Sequence, residues 1–170
     1  RLMNCNFINN TANKYGGGVY WPGANGTITD SKFINNTAYE RGGGVYWSGA
    51  NGNLAGSYFS DNTATTASGG GIYWIASKGI ITDSTFINNA ANVGGNGGGI
   101  CFAINAFNCS VINSNFINNN VDGAGSGGAL YWVRDGVIIN CSFVNSKYVN
   151  PKFNGIIAES NLTINGGNGI

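Results

Sequence analysis

The chain has 170 residues, a formal net charge of +1, only 9% charged residues and no histidine. A chain with so few charges has no basic patch of the kind that binds nucleic acid or an anionic membrane surface. We therefore expect neither as a partner. No apolar run reaches the roughly 20 residues that cross a bilayer as a helix, so we expect no membrane span in this segment.

Two motifs alternate along the chain from its first residues to about residue 150. The first is F-x-x-N, with Phe at Phe7, Phe33, Phe59, Phe86, Phe116 and Phe143. Its asparagines are Asn10, Asn36, Asn62, Asn89 and Asn119, and Ser146 ends the series. The second motif, three small residues followed by aliphatic and aromatic ones, occurs at Gly16–Tyr20, Gly42–Tyr46, Gly69–Tyr73, Gly97–Phe102 and Gly127–Tyr131. Successive Phe residues lie 26 to 30 positions apart, a period typical of stacked structural repeats.

The composition of each repeat predicts β-structure. Short segments rich in Ile, Val, Phe, Tyr, Trp and Thr alternate with Asn and Gly, which favour tight corners. We therefore expect an all-β fold, a right-handed parallel β-helix of about six coils with two or three short strands each. Because Leu162–Asn165 restarts the strand that Leu2–Asn4 begins, we expect residues 1–170 to be one domain of a longer protein, without its caps.

Stacking places equivalent residues of successive coils on top of one another. The Phe residues then form an internal aromatic ladder, and the Asn residues form an amide ladder like those of stacked strands. An inward aliphatic column is expected at Val19, Val45, Ile72, Ile100 and Leu130. A small polar column is expected two residues before Phe, at Ser31, Ser57, Ser84 and Ser114.

The four cysteines give two different expectations. Cys5 and Cys141 occupy the serine column and lie five coils apart, so they are expected to be small buried residues that cannot pair. Cys101 and Cys109 flank an irregular loop, and they either form a local disulfide or remain packed free thiols. Since the chain has no C-x-x-C motif and no histidine, we expect no metal site and no cofactor.

The full repeat, Ile28–Ala38 followed by Gly-Gly-Gly-Val-Tyr-Trp, resembles the adhesin-like surface proteins of methanogenic archaea. The paired glycine and F-x-x-N motifs also resemble the repeats of chlamydial polymorphic outer-membrane proteins. These resemblances cover about residues 2–150. They imply an extracellular, cell-surface β-helix that mediates attachment to other cell-surface proteins or glycans. They transfer no catalytic residue, because the matching motifs are structural.

Two alternatives stay open, a polysaccharide-processing enzyme of the pectate-lyase type and a structural spacer. Catalysis would need clustered carboxylates or a carboxylate-bound cation. Asp30 and Asp83 share a column but lie two coils apart, with Gly56 between them. Asp122, Asp135 and Arg134 form the only local cluster of charges, and we expect them to be solvated. The sequence therefore favours a protein that is not an enzyme.

Glycosylation and self-association are two further expectations. Among the N-x-[ST] sequons, Asn25 and Asn108 lie in predicted loops and are the best acceptors. A β-helix without caps leaves unpaired backbone groups at each end, and the first and last coils could stack head to tail. Linear association that depends on concentration is therefore expected.

The strand after each glycine motif is the candidate binding surface. Successive side chains on a strand point to opposite faces, so an inward Val column requires the next residue to point outward. We expect the outward aromatic stripe to be Tyr20, Tyr46, Tyr73, Phe102 and Tyr131, with Ala103 interrupting the Trp column. This stripe is either ordinary surface packing or an adhesive strip exposed to solvent.

Overall fold

The computed structural model describes residues 1–148, 156–158 and 162–168; residues 149–155, 159–161 and 169–170 lie outside the described part. Within the described part every regular element is a β-strand, and each strand pairs in parallel with its equivalent in the neighbouring coil. Phe33, for example, pairs with Phe7 on one side and Phe59 on the other. This is the parallel β-helix that the 26- to 30-residue period predicts.

Each coil contributes four short strands rather than two or three. The first ladder contains Leu2–Met3, Thr27–Thr29, Asn53–Ala55, Ile80–Thr82, Cys109–Ile112, the start of Gly136–Val144, and Leu162–Asn168. The second contains Asn6–Ile8, Lys32–Ile34, Tyr58–Ser60, Thr85–Ile87, Asn115–Ile117 and the end of Gly136–Val144. The third contains Thr11–Ala12, Thr37–Ala38, Thr63–Ala64, Ala90–Ala91, Asn120–Val121 and Lys147–Tyr148. The fourth contains Val19–Trp21, Val45–Trp47, Ile72–Trp74, Ile100–Phe102, Leu130–Trp132 and Ile156–Ala158.

Left-handed residues make the corners between these ladders. Asn35, at φ 54°, bends the chain between the second and third ladders, and Asn9 and Asn88 do so in other coils. Asn and Asp tolerate this conformation because their short polar side chains can hydrogen-bond locally. The two asparagines of the F-I-N-N sequence therefore differ in role, since Asn35 makes the bend and Asn36 points inward, fully buried.

The three glycines of each motif meet three different constraints. Gly42 has a φ of +68°, which a side chain would strain. A Cβ on Gly43 would overlap the backbone of Gly70 and Thr63 in the next coil. A Cβ on Gly44 would lie 3.0 Å from the ring of Phe59. The motif thus lets one coil approach the next closely over the phenylalanine ladder.

The core is built from the predicted columns. The Phe rings stack face to face from Phe7 to Phe143, with centroids 4.5 to 5.0 Å apart. The aliphatic column is in register from Val19 to Leu130. Opposite them lie the buried residues Ile28, Leu54, Ile81, Val111 and Ile138 of the first ladder.

Two polar ladders run through this core. The amide of Asn62 donates to the Phe33 carbonyl at 2.8 Å and to Asn89 Oδ1 at 2.9 Å. Its Oδ1 accepts from the backbone N–H of Asn36 at 3.0 Å and from the Asn36 amide at 2.9 Å. Ser57 Oγ accepts from the Ser31 N–H at 3.2 Å and donates to the Ala55 carbonyl at 3.0 Å. The buried side chains of these two ladders are thereby satisfied by the neighbouring coil or by their own turn.

All four cysteines are free thiols, so of the two alternatives for Cys101 and Cys109 the structure shows packed free thiols and no disulfide. The two residues belong to different packing clusters, because Cys109 lies in the main core and Cys101 lies among the tyrosines of the fourth ladder. Cys141 takes its place in the serine column, where its Sγ accepts from the Ser114 N–H at 3.4 Å. Burial raises the pKa of the Cys101 thiol to about 12 and that of Cys109 to about 11, so neither is activated as a nucleophile.

Candidate binding surface on the fourth ladder

Side chains of the fourth ladder point alternately to the two sides of the sheet, and each side has its own packing cluster. Val45 and Trp47 pack into the main core, and Tyr46 between them points to the other side of the sheet. Strand pairing then aligns one outward column, which we name the tyrosine face. Its members are Tyr20, Tyr46, Tyr73, Cys101 and Tyr131.

Phe102 does not belong to this face, so its predicted place in the aromatic stripe is wrong. Ile100 pairs directly with Ile72, and the following residues therefore align one for one. Phe102 falls in register with Trp74 and Trp132, fully buried in the main core. Phe102 thus continues the tryptophan column, and Cys101 interrupts the tyrosine column.

The tyrosine face points outward as expected, but it is not an exposed stripe. Tyr20 is 52% exposed, whereas Tyr46 and Tyr73 are each 8% exposed and Tyr131 is 9% exposed. The stacking of successive rings, at 5.3 Å between centroids for Tyr46 and Tyr73, hides the ring faces. The prediction of exposure is therefore wrong for Tyr46, Tyr73 and Tyr131.

A second set of side chains lies over the tyrosine face. In the first two coils, the residue before the first glycine of the motif reaches over the tyrosine of the next coil. Tyr15 stacks on Tyr46 with the ring centroids 4.7 Å apart, and the Arg41 guanidinium lies 5.2 Å from the centre of the Tyr73 ring. Sequence reasoning missed this position. Its signal is a variable residue directly before the glycines, at Tyr15, Arg41, Ser68, Asn96 and Ser126.

Five residues of the first three coils form what we name the tyrosine–cation cluster, namely Lys14, Tyr15, Arg41, Tyr46 and Tyr73. The Lys14 ammonium lies 5.1 Å from the Tyr15 ring centre, so each of the two cations lies over one ring of the cluster. Burial raises the pKa of the Tyr46 hydroxyl, although the positive charge of Arg41 opposes the rise. Burial likewise raises the pKa of Tyr73 to about 12. Both phenols are therefore neutral at physiological pH and can donate or accept hydrogen bonds.

The carboxylates singled out in the sequence are not gathered into a site. Asp122 accepts from the Gly123 N–H at 2.7 Å, at the corner between the third and fourth ladders. Arg134 belongs to the next corner, where its Nε donates to the Ile104 carbonyl at 2.8 Å and its guanidinium lies over Phe107. The expected local cluster of Asp122, Asp135 and Arg134 is therefore not formed. Across the described residues, no three Asp, Glu, Cys or His side chains lie close enough to hold a metal ion.

The two preferred sequons lie on accessible corners. Asn25 and Asn108 are both exposed and both adopt left-handed bends ahead of the first ladder. The Asn25 side chain accepts a hydrogen bond from the Asn51 amide at 3.2 Å. Both side chains lie where a glycan could extend into solvent.

Comparison with known protein families agrees with the geometry. The family model for the right handed beta helix region matches residues 2–169, so the chain belongs to the right-handed β-helix family. Comparisons with curated proteins and with solved structures gave no significant match. In the described part of the chain, no helix is long and apolar enough to cross a membrane.

Proposed function

We propose that this chain is an adhesin-like β-helix of the cell surface that attaches to glycans or other surface proteins without catalysis. The observation that carries the proposal is the tyrosine–cation cluster. Its aromatic rings are held by stacking, and a cation lies over each of two of them. Rigid tyrosines are favoured at interfaces because each combines apolar area with a polar hydroxyl at a low entropic cost.

The scaffold supports this function because it holds the cluster in place. Every ring of the cluster belongs to a strand or a corner that is hydrogen-bonded to the neighbouring coils. Side chains fixed in this way lose little conformational freedom when a ligand binds. The resemblance of the repeats to those of adhesin-like surface proteins points in the same direction.

A glycan array probed with the wild-type chain and two variants tests the proposal. Tyr20→Ser removes the exposed ring that stacks on Tyr46 of the cluster, with centroids 5.3 Å apart, whereas Tyr39→Ser removes a tyrosine of similar exposure, 57% against 52%, outside the cluster. We expect Tyr20→Ser to weaken binding and Tyr39→Ser to leave it unchanged. Equal effects of the two substitutions would place the binding surface elsewhere.

The same assay separates the two alternatives. Shortening of any arrayed polysaccharide during incubation would favour a polysaccharide-processing enzyme. The absence of binding to all glycans and to cells would favour a structural spacer.

Head-to-tail association is a separate proposal for the same chain. It rests on the backbone groups that a β-helix leaves unpaired at an open end. Sedimentation velocity over a wide range of concentration tests it, and a strict monomer at the highest concentration would contradict it.

A further inference from the structure

We propose that the tyrosine–cation cluster binds a sugar that carries a carboxylate, and that the Arg41 guanidinium receives that carboxylate. The proposal rests on the attachment function above and names its ligand class. It follows from the position of Arg41, from the charges around it and from the aromatic rings beside it.

Arg41 is fixed in place but retains hydrogen-bonding capacity. Its guanidinium lies over the Tyr73 ring, 5.2 Å from the ring centre. A guanidinium has five N–H donors in one plane, and this stacking contact uses none of them. No carboxylate of the described residues forms an ion pair with Arg41, and its side chain is half-buried rather than enclosed. A planar anion can therefore approach these donors and bind in a bidentate manner.

The local balance of charge favours an anion. Lys14 lies next to Tyr15, whose backbone bridges to Arg41, so the two cations belong to adjacent coils. Glu40 is the acidic residue of this corner, and it forms no ion pair with a described residue. Two cations against one carboxylate leave the corner positive in a chain whose total charge is only +1.

The two cations that lie over tyrosine rings in the described part of the chain, Lys14 and Arg41, belong to the first two coils. The positions equivalent to Tyr15 and Arg41 in the later coils are Ser68, Asn96 and Ser126, which are small and neutral. Ser68 Oγ accepts a hydrogen bond from the Asn96 N–H at 3.0 Å and presents no charge. The repeat architecture does not require a cation at this position, and the charge is therefore a local feature of one corner.

The aromatic rings favour a sugar that carries a carboxylate over anions without a sugar ring. A pyranose presents a flat face of C–H groups that can cover an aromatic ring, and its hydroxyls can reach the Tyr hydroxyls. Tyr15 is partly exposed and lies stacked on Tyr46, between the two cations. A free phosphate or sulfate would use the cations but would gain nothing from these rings.

Binding to matched polymers tests the proposal. Hyaluronan carries a carboxylate on alternate sugars, and its carboxyl-reduced form is the neutral control. Dextran sulfate supplies sulfate without carboxylate, and polyglutamate supplies carboxylate without sugar. We expect the wild-type chain to bind hyaluronan, to bind the other three polymers at least roughly tenfold more weakly, and to lose affinity as salt screens the charges.

Arginine variants localise the interaction. Arg41→Met keeps an apolar cover on Tyr73 but removes the donors, and we expect a loss of affinity of roughly tenfold or more. Arg41→Lys should recover only part of it, because a lysine lacks the planar fork. Arg134→Met is the matched control, since Arg134 lies 5.1 Å over the Phe107 ring at another corner. Glu40→Gln should strengthen binding by removing the negative charge from the corner. Melting curves confirm that each variant is folded.

Several outcomes would overturn the inference. Equal binding of hyaluronan and its carboxyl-reduced form, with no effect of Arg41→Met, would show attachment without recognition of a carboxylate and leave the proposed function intact. Preference for dextran sulfate or polyglutamate would exclude an acidic sugar as the ligand. Binding to none of these polymers and to no arrayed glycan would overturn both proposals.

Discussion

Cys109 occupies the place that glycine holds in neighbouring coils, and Phe102 in the same coil stands where those coils have tryptophan. Strand pairing aligns Cys109 with Gly136, and Phe102 with Trp132. A Cβ on Gly136 would overlap the ring of Trp132, and Gly79 stands in the same relation to Trp74. The smaller ring of Phe102 explains why this coil accommodates a side chain at position 109, and both residues are buried in the main core.

The first prediction is that these two positions are energetically coupled. Phe102→Trp alone overfills the core against Cys109, and we expect a loss of about 1–3 kcal/mol in the free energy of unfolding. Cys109→Gly alone leaves a void and adds backbone freedom, at a cost of similar size. The double variant restores the tryptophan–glycine pair. Urea unfolding should show a coupling of about 0.5–3 kcal/mol, and simple additivity of the two losses would contradict it.

The second prediction concerns the buried amide ladder. Asn62→Leu removes a side chain that bonds Asn36, Phe33 and Asn89, and it leaves their buried polar atoms without partners. Since each such group costs about 1–3 kcal/mol, we expect a loss of several kcal/mol or failure to fold. Asn10→Leu, at the exposed end of the same ladder, should cost much less. Chemical denaturation measures both, and equal losses would mean that the ladder adds little.

The third prediction separates the buried part of the tyrosine face from its accessible part. Tyr46→Ser combined with Tyr73→Ser removes two rings that are each 8% exposed, and we expect a large loss of stability, on the order of 3–5 kcal/mol for each ring. Tyr20→Ser should change the melting temperature far less, because that ring is 52% exposed. A double variant as stable as the wild type would show that these rings do not contribute to packing.

The fourth prediction is that stability falls in alkali. Burial raises the pKa of the Cys101 thiol from 9.0 to about 12, so the unfolded state loses this proton first. Stability is therefore fully present below pH 9 and declines as the pH rises toward 12, by up to about 1.4 kcal/mol per pH unit for each buried thiol. Cys101→Ala should make the decline shallower between pH 9 and 11. An unchanged slope in thermal melts would argue against this source.

The fifth prediction is that Asn25 and Asn108 accept glycans when the chain passes through a secretory pathway that glycosylates N-x-[ST] sequons. Thr27→Val and Ser110→Ala remove the two sequons without altering the asparagines that form the left-handed bends. Intact mass should fall by one glycan for each substitution. A wild-type mass equal to that of the bare polypeptide would contradict the prediction.

Much of the fold follows from the sequence because the repeat imposes it. Once Phe33 lies over Phe7, the parallel register places Asn36 over Asn10 and Val45 over Val19 without further information. The inward columns could therefore be read directly from the period. The number of strands per coil could not, because the bend at Asn35 divides what reads as one segment into two.

The exposure of the outward side chains could be known only from the tertiary structure, because neighbouring coils determine which of these side chains are covered. Alternation along the strand predicts that Tyr46 points outward, but it does not show that Tyr15 reaches across from the preceding coil and covers it. The separation of Cys101 from Cys109 likewise depends on which side of the sheet each occupies. The sequence by itself determined the period and the inward columns, since stacking repeats the same contacts in every coil. Only the tertiary structure decided the tyrosine–cation cluster, because Tyr15 and Arg41 each contact a tyrosine at a non-equivalent position of the next coil.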